Sequence, residues 1–269
     1  MELGIGTYTF PWAIGVTGYN GSGKWSIEDL IAFSSEHQVH HVQIADNLPL
    51  HEVDQKRITE YKAIADSFNI RIQVGTRKLE ADHIRNYIRI CQLLQSPFLR
   101  VVIDDREYEP SVEEVINIIR GVLAELKSAQ IVLAIENHDR LRARELEKII
   151  ESTDSELIGI CLDTANSFGA GEGFDHVFEV LAPHTVNLHI KDFRIRRLDH
   201  KMGFRITGCG AGEGMLNIPV TIEKLERYGR CKTATLEIWS EPASSADESI
   251  RKEFEQAIAS IDYLKKYLT

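Results

Sequence analysis

Eight short runs rich in Val, Ile and Leu recur along the chain, and each is followed by a stretch with helical character. They begin at Leu3 (LGIGTY), His40 (HHVQIAD), Ile70 (IRIQVGT), Phe98 (FLRVVID), Ile131 (IVLAIEN), Ile158 (IGICLD), Thr185 (TVNLHIK) and Thr233 (TATLEI). Successive starts lie 27 to 48 residues apart, room for one helix and two loops in every interval. Branched aliphatics at consecutive positions mark strands buried on both faces, as in a parallel sheet covered by helices. Eight such alternations in 269 residues predict an α/β fold, a single (β/α)8 TIM barrel over residues 1–269. An open sheet with a dinucleotide site would carry GxGxxG after its first strand. The sequence there is TYTFPWAIG.

The intervals carry their own helix signals. Ser26 opens SIEDLIAFSSEH with acids in its first turn, and Ser111 and Glu114 have capping-box spacing at the head of SVEEVINIIRGVLAELKSA, which reads as one helix. Residues 246–268 form an amphipathic pattern suited to a closing helix. Segments 12–24 and 192–217 read as the two longest loops. No 18-residue apolar run is present, so no membrane span is expected. MELGIGTYTF reads as a first strand and not as a signal peptide. Cys91, Cys161, Cys209 and Cys231 lack CxxC spacing and are expected to be free thiols of a cytoplasmic protein. A net charge of −10 disfavours a nucleic-acid partner, because phosphate neutralisation needs a basic face.

Four consecutive strands end in a side chain able to bind metal. Strand five ends in IENH, six in CLDTAN, seven in LHIKD and eight in LEIW. A barrel gathers the C-terminal ends of its strands at one face, so Glu136, Asp163, His189 and Glu237 can converge on one point. Three carboxylates brought together with no obvious core cation would repel one another, and a divalent ion between them removes that penalty. Oxygen-rich ligation favours Mn²⁺, with Mg²⁺ and Co²⁺ as alternatives, over a closed zinc site built from Cys and His.

Segment 191–205 reverses the charge of the chain. KDFRIRRLDHKMGFR holds six Lys/Arg against two Asp, +4 within a protein of −10. It follows strand seven on the expected active-site face. Lys191, Arg194 and Arg205 are therefore candidates for binding an anionic substrate, Arg through its planar fork. Tyr8, Trp12, Asn47, Arg77, Lys78, Asp104, His138 and Trp239 also fall near strand ends and are candidate pocket residues. The glycine-rich GAGEG (210–214) neither follows a strand nor opens a helix as a phosphate loop does, and reads as a turn.

The series IEN (135–137), LDTAN (162–166), HIKD (189–192), GAGEG and LEI (236–238) resembles the xylose-isomerase-like TIM barrels over the whole chain. That family includes ketose 3-epimerases, hydroxypyruvate isomerases, inosose dehydratases and abasic-site endonucleases. The resemblance implies that Glu136, Asp163, His189 and Glu237 bind the metal and that Glu136 and Glu237 also move the proton. Two departures bear on specificity: Asn166 stands where the epimerases have a substrate-binding His, and either Arg194 or Arg196 stands near their substrate Arg. The extra His ligands of the endonucleases are missing. NLHIKDF with a following MGF is similar to 3-oxo-isoapionate decarboxylases.

These readings lead to a metal-dependent isomerase or epimerase acting on a small hydroxy-carbonyl sugar through an enediolate. Asn166, Lys191, Arg194, Arg205, His138, Tyr8, Trp12 and Arg77 are its expected substrate-binding residues. The alternatives are a decarboxylase of a 3-oxo sugar acid, an inosose-type dehydratase and a non-catalytic sugar-binding barrel. A small sugar or sugar acid is the expected partner, and a homo-oligomer is compatible with all of them.

Overall fold

A computed structural model describes residues 1–16, 18–19 and 23–269. Eight strands close into a parallel barrel: β1 (Glu2–Gly6), β2 (His41–Ile44), β3 (Arg71–Arg77), β4 (Phe98–Val102), β5 (Val132–Glu136), β6 (Ile158–Asp163), β7 (Thr185–Ile190) and β10 (Thr233–Leu236). They neighbour one another in chain order, and β10 pairs with β1 to close the ring. All eight coincide with the runs expected from the sequence.

Helices cover the outside. They are α2 (Ile27–Glu36), α3 (Gln55–Ser67), α4 (Ala81–Leu94), α5 (Val112–Arg120), α6 (Leu123–Ala129), α7 (Ala143–Glu151), α8 (Phe174–Leu181), α9 (Ile218–Glu226) and α10 (Ala246–Leu264), preceded by a single helical turn, α1 (Pro11–Ile14). Both expected N-termini form: Ser26 and Ser111 each accept a backbone N–H three residues on, and Asp29 and Glu114 reach back. The span read as one helix after Ser111 is two. It breaks at Gly121, the C-cap of α5, and α6 resumes at Leu123. Glycine is a poor helix former, so the break falls where the helix is weakest.

Segment 192–217 corrects another expectation. It is no plain loop: β8 (Asp192–Arg197) and β9 (Phe204–Cys209) make a two-stranded antiparallel hairpin outside the barrel. Alternation of apolar and charged residues from 193 to 196 is the strand signal that the charge of this segment masked. Of the other expected loop, 12–24, residues 17 and 20–22 lie outside the described residues, and Pro11–Ile14 are helical.

One apolar layer results, between the barrel and its helices. Leu3, Ile5, Val42, Ile44, Leu99, Val101, Leu133 and Ile135 pack outward against the helices. The inward-facing positions are mostly polar. Gln43 donates to Asn187 at 3.1 Å, and Asn187 donates to the Thr233 hydroxyl at 2.8 Å. The neighbouring His41 is buried so close to β1 that a Cβ on Gly4 would stand 2.0 Å from its ring, which is why only glycine fits there. Gln43, Asn187 and Thr233 bond one another, which makes their burial tolerable, whereas both ring nitrogens of His41 lack a hydrogen-bond partner among the described residues; the polar interior leads upward to the charged ends of the strands. Among the described residues no helix is long and apolar enough to cross a membrane.

Candidate metal centre

Every second residue of a strand faces the barrel axis. On β7 that rule aims Asn187, His189 and then Lys191 inward. On β5, β6 and β10 it aims Glu136, Asp163 and Glu237. The four expected ligands are all buried, at 2 % exposure or less.

His189 is the hub. Its Nε2 stands 2.7 Å from Oε1 of Gln43, whose amide nitrogen already donates to Asn187. An amide oxygen only accepts, so Nε2 carries the proton and Nδ1 is left with its lone pair. Nδ1 has no hydrogen-bond partner. It faces Glu237 Oε1 at 3.1 Å, Glu136 Oε2 at 3.4 Å and Asp163 Oδ2 at 4.0 Å. Donors about 2.1 Å from one ion and at right angles stand about 3.0 Å apart, so this spacing fits a divalent cation. Pinning the far nitrogen of a ligating His is the usual way a protein fixes its tautomer. Asp163, His189 and Glu237 form a group whose donor atoms all lie within 4.8 Å of one another, and Glu136 joins His189 in a second such group with Cys161. The Cys161 thiol donates to Asn187 at 3.2 Å and burial holds it protonated, so the carboxylates and His189 are the better ligands.

Two cations correct the expectation that these acids lack a core counter-charge. Arg100, 2 % exposed, faces inward from β4 and bonds Glu136 through Nε and Asp46 through Nη1, the latter at 2.9 Å. Lys191 stands 2.9 Å from Asp163 and 2.8 Å from Glu237. Burial alone would raise the Glu136 carboxyl, yet Arg100, and with it Lys191, hold it well below the usual carboxylate range. Burial works against the Lys191 ammonium too, but Asp163, Glu237 and Glu136 keep it charged. The sequence did carry a signal for Arg100: in FLRVV it shares the inward parity of Phe98. Gln43 was legible by the same parity on β2. Asp46 lies in the loop after β2, where parity no longer helps.

The expected substrate-binding residues divide. Asn166 is inside the cluster, donating to Glu136 at 2.8 Å and accepting from Lys191 at 3.2 Å. Tyr8, Arg77 and His138 line a polar cavity of about 850 Å³ at the barrel mouth, together with Asn47, Lys78 and Asp104. Tyr8 donates to Asp46 at 2.9 Å and Arg77 reaches the same carboxylate at 3.3 Å, so a continuous chain runs from the cavity through Asp46 and Arg100 to Glu136. Trp12 is apart from this cavity. It is 5 % exposed in α1 and donates from its indole to Ser240. Arg194 binds Glu213 at 3.2 Å, and Arg205 is 64 % exposed with Glu241 at 3.9 Å. Both project from the hairpin, and neither reaches the cluster. The GAGEG turn serves the architecture. The buried Asp192 carboxylate accepts the N–H groups of Gly212, Gly214 and Leu216 and so seats the turn on the hairpin.

The closed (β/α)8 ring with a buried carboxylate–histidine cluster at the C-terminal ends of its strands defines a TIM-barrel protein. The model of the family "Xylose isomerase-like TIM barrel" matches residues 31–267, and the chain belongs to that family. It is 28 % identical over 264 residues to a 3-oxo-isoapionate decarboxylase of Pectobacterium atrosepticum, covering 98 % of this chain and 95 % of that one. Among solved structures it is similar to D-psicose 3-epimerase from Clostridium cellulolyticum H10, crystallised with D-tagatose (TM-score 0.74, 14 % identity, 100 % and 99 % of the two chains). It is also similar to a xylose isomerase-like TIM barrel protein from Mycobacterium smegmatis in complex with magnesium (TM-score 0.70, 11 % identity, 98 % and 96 % covered). At such identities the two solved structures speak to the fold alone.

Proposed function

We propose that the protein is a divalent-metal-dependent lyase that removes CO₂ from a small 3-oxo sugar acid. The observation that carries this is a lysine inside the ligand cluster, its ammonium 2.8 Å from Glu237 and 3.2 Å from the Asn166 amide oxygen. A neutral sugar has little use for a full positive charge at that point, whereas a substrate carboxylate does. This reverses the order of the two main readings of the sequence. The full-length similarity to a decarboxylase supports the reversal.

Glu136, Asp163, His189 and Glu237 are the residues that would hold the ion. A divalent cation there supplies Lewis acidity, polarising a substrate carbonyl and stabilising negative charge on its oxygen. Lys191 and Asn166 orient the carboxylate of the substrate. The bond to that carboxylate breaks, its electron pair moves toward the neighbouring carbonyl, and CO₂ departs, leaving an enediolate that needs one proton on carbon. Glu237 is the better-placed group to take up a proton from solvent and deliver it to that carbon, because both oxygens of Glu136 already accept hydrogen bonds, from Arg100 and from Asn166. Burial of Glu136, Asp163, His189 and Glu237 keeps most bulk water from the carbanionic carbon.

An isomerase or epimerase remains the second reading. It is favoured by the approach of both Glu136 and Glu237 to His189 Nδ1, at 3.4 and 3.1 Å, since epimerisation passes a proton between two carboxylates. One assay separates the two. Mn²⁺-loaded protein is incubated in D₂O with 3-oxo aldonates and with ketoses. Bicarbonate release with one deuteron in the shortened sugar is expected. Deuterium in an epimer or isomer without bicarbonate would hand the site to the second reading.

A further inference from the structure

Strand β3 ends on a cation at the barrel mouth. Gln73, Gly75 and Arg77 share its inward parity, and Gln73 meets Gln43 inside the barrel. Gly75 leaves room for Arg100, whose Cδ would stand 3.2 Å from a Cβ there, and Arg77 is the next inward residue. Lys78 follows at φ +73°, in the left-handed region that favours glycine, with its N–H held by the Val102 carbonyl at 2.9 Å. Backbone strain of this kind persists where the surrounding structure fixes a side chain's position. The Arg77 guanidinium itself is loosely held. It stands 3.3 Å from Asp46 and from the Asp104 carbonyl, and 3.5 Å from Nε2 of His138, all long for N–H donors. An arginine N–H only donates, so Nε2 of His138 offers its lone pair, while Nδ1 faces the Asp139 carboxylate at 3.2 Å. Side-chain exposures of 29 % for Arg77 and 24 % for His138 leave both open to the cavity.

The charge of the cavity wall decides what fits beside them. Seven Asp and Glu side chains line it against four Lys and Arg, a balance of −3 with the histidines neutral. Three of the four cations are already matched: Arg77 with Asp46, Lys78 with Glu80 at 3.2 Å and Arg140 with Asp104. A second anionic group on the substrate would meet a surplus of carboxylates here. A hydroxyl meets no such penalty, because it accepts from Nη2 of Arg77 and donates to Nε2 of His138 at once. Tyr8, whose proton goes to Asp46, keeps its oxygen lone pairs to accept from a neighbouring hydroxyl. We infer that Arg77 and His138 are specificity-determining residues that read one hydroxyl of an uncharged substrate tail, and that the acidic wall rejects a phosphorylated tail. This rests on the reading that Lys191 seats the substrate carboxylate. The substrate is then a single anion, charged at the deep end of the site and neutral at the mouth.

Isothermal titration of the Mn²⁺-loaded protein with unreactive hydroxy acids tests this. The probes are glycolate, which has the carboxylate and no tail, the D-pentonates, and the 5-phosphates of those pentonates. The tightest-binding pentonate is expected to exceed glycolate by about tenfold or more in affinity, and its 5-phosphate to lose about tenfold or more against it. Arg77→Met and His138→Leu should each erase most of the tail's advantage while glycolate affinity stays within about twofold. His138→Gln, which keeps an acceptor near the Nε2 position, should retain that advantage. A 5-phosphate that binds as well as its parent pentonate overturns the inference, and so does a pentonate preference that survives both Arg77→Met and His138→Leu. Pentonates that bind no better than glycolate overturn it too, yet leave the carboxylate seat at Lys191 standing. Failure of every acid to bind removes both.

Discussion

Strand β7 and the hairpin that follows it handle positive charge in opposite ways. Lys191, at the end of the strand, is mostly buried and held by two carboxylates at 2.8 and 2.9 Å. A few residues on, Arg196 and Arg205 point from the basic face of the hairpin, and Arg205 keeps only a 3.9 Å approach to Glu241. Both sets belong to one basic segment of the sequence. What differs is the solvent. A buried cation must be paired, and its partners lose heavily when it goes, whereas an exposed pair is screened and worth little. The contrast teaches that the cationic segment is two devices, one residue of it serving the centre and the rest serving the outer surface.

The widest separation between the two regions is expected in turnover. Glu237→Gln should lower kcat by about 10²–10⁴-fold with the fold intact by circular dichroism, the range for loss of a positioned proton carrier. Near-normal kcat would remove Glu237 from its assigned role.

Next in size is the buried cluster's dependence on Arg100. Arg100→Met strands the carboxylates of Glu136 and Asp46. Urea unfolding should record a loss of about 3–5 kcal/mol. If the midpoint stays at the wild-type value, the cluster is not held by this cation.

A smaller effect lies beside α1, where Glu253 of α10 accepts the N–H groups of Trp12 and Ala13 at 2.8 and 3.0 Å, with no cation beside it among the described residues. Burial pushes its carboxyl from 4.5 up to about 8, against those two hydrogen bonds. A raised folded value means that this stability is full below pH 4.5 and is lost as pH rises through about 8. Melting temperatures of Glu253→Gln should therefore fall less between pH 5 and 9 than those of the wild type, by the equivalent of about 1–3 kcal/mol. Parallel pH curves for the two proteins would count against a buried, proton-binding Glu253.

The smallest change is expected at the exposed end. Arg205→Ala should alter stability by less than about 0.5 kcal/mol. A loss above about 2 kcal/mol would show that the hairpin's charges are held as firmly as those of the barrel, and the contrast would fail.

Much of the molecule was readable before its structure. The eight strands were visible because strands buried on both faces carry unbroken aliphatic runs, and Ser26 and Ser111 announced their helices through local capping. Glu136, Asp163, His189 and Glu237 were legible because barrel closure turns positions at strand ends into neighbours. The hairpin was missed because strands on the surface alternate apolar and charged residues and look like loop. Arg100 was overlooked because an arginine amid aliphatics in FLRVV carries no sign of the carboxylates that justify its burial.

The sequence by itself determined the barrel, the parity of each strand and the donor atoms collected at its mouth, all of which follow from local patterns and one topological rule. Only the tertiary structure decided who partners whom: that Gln43 fixes the tautomer of His189, that Arg100 occupies Glu136, and that Lys191 enters the cluster while Arg194 and Arg205 leave it. Those choices depend on distances between residues far apart in the chain, and electrostatic strength at such distances is set by how much water remains between the charges.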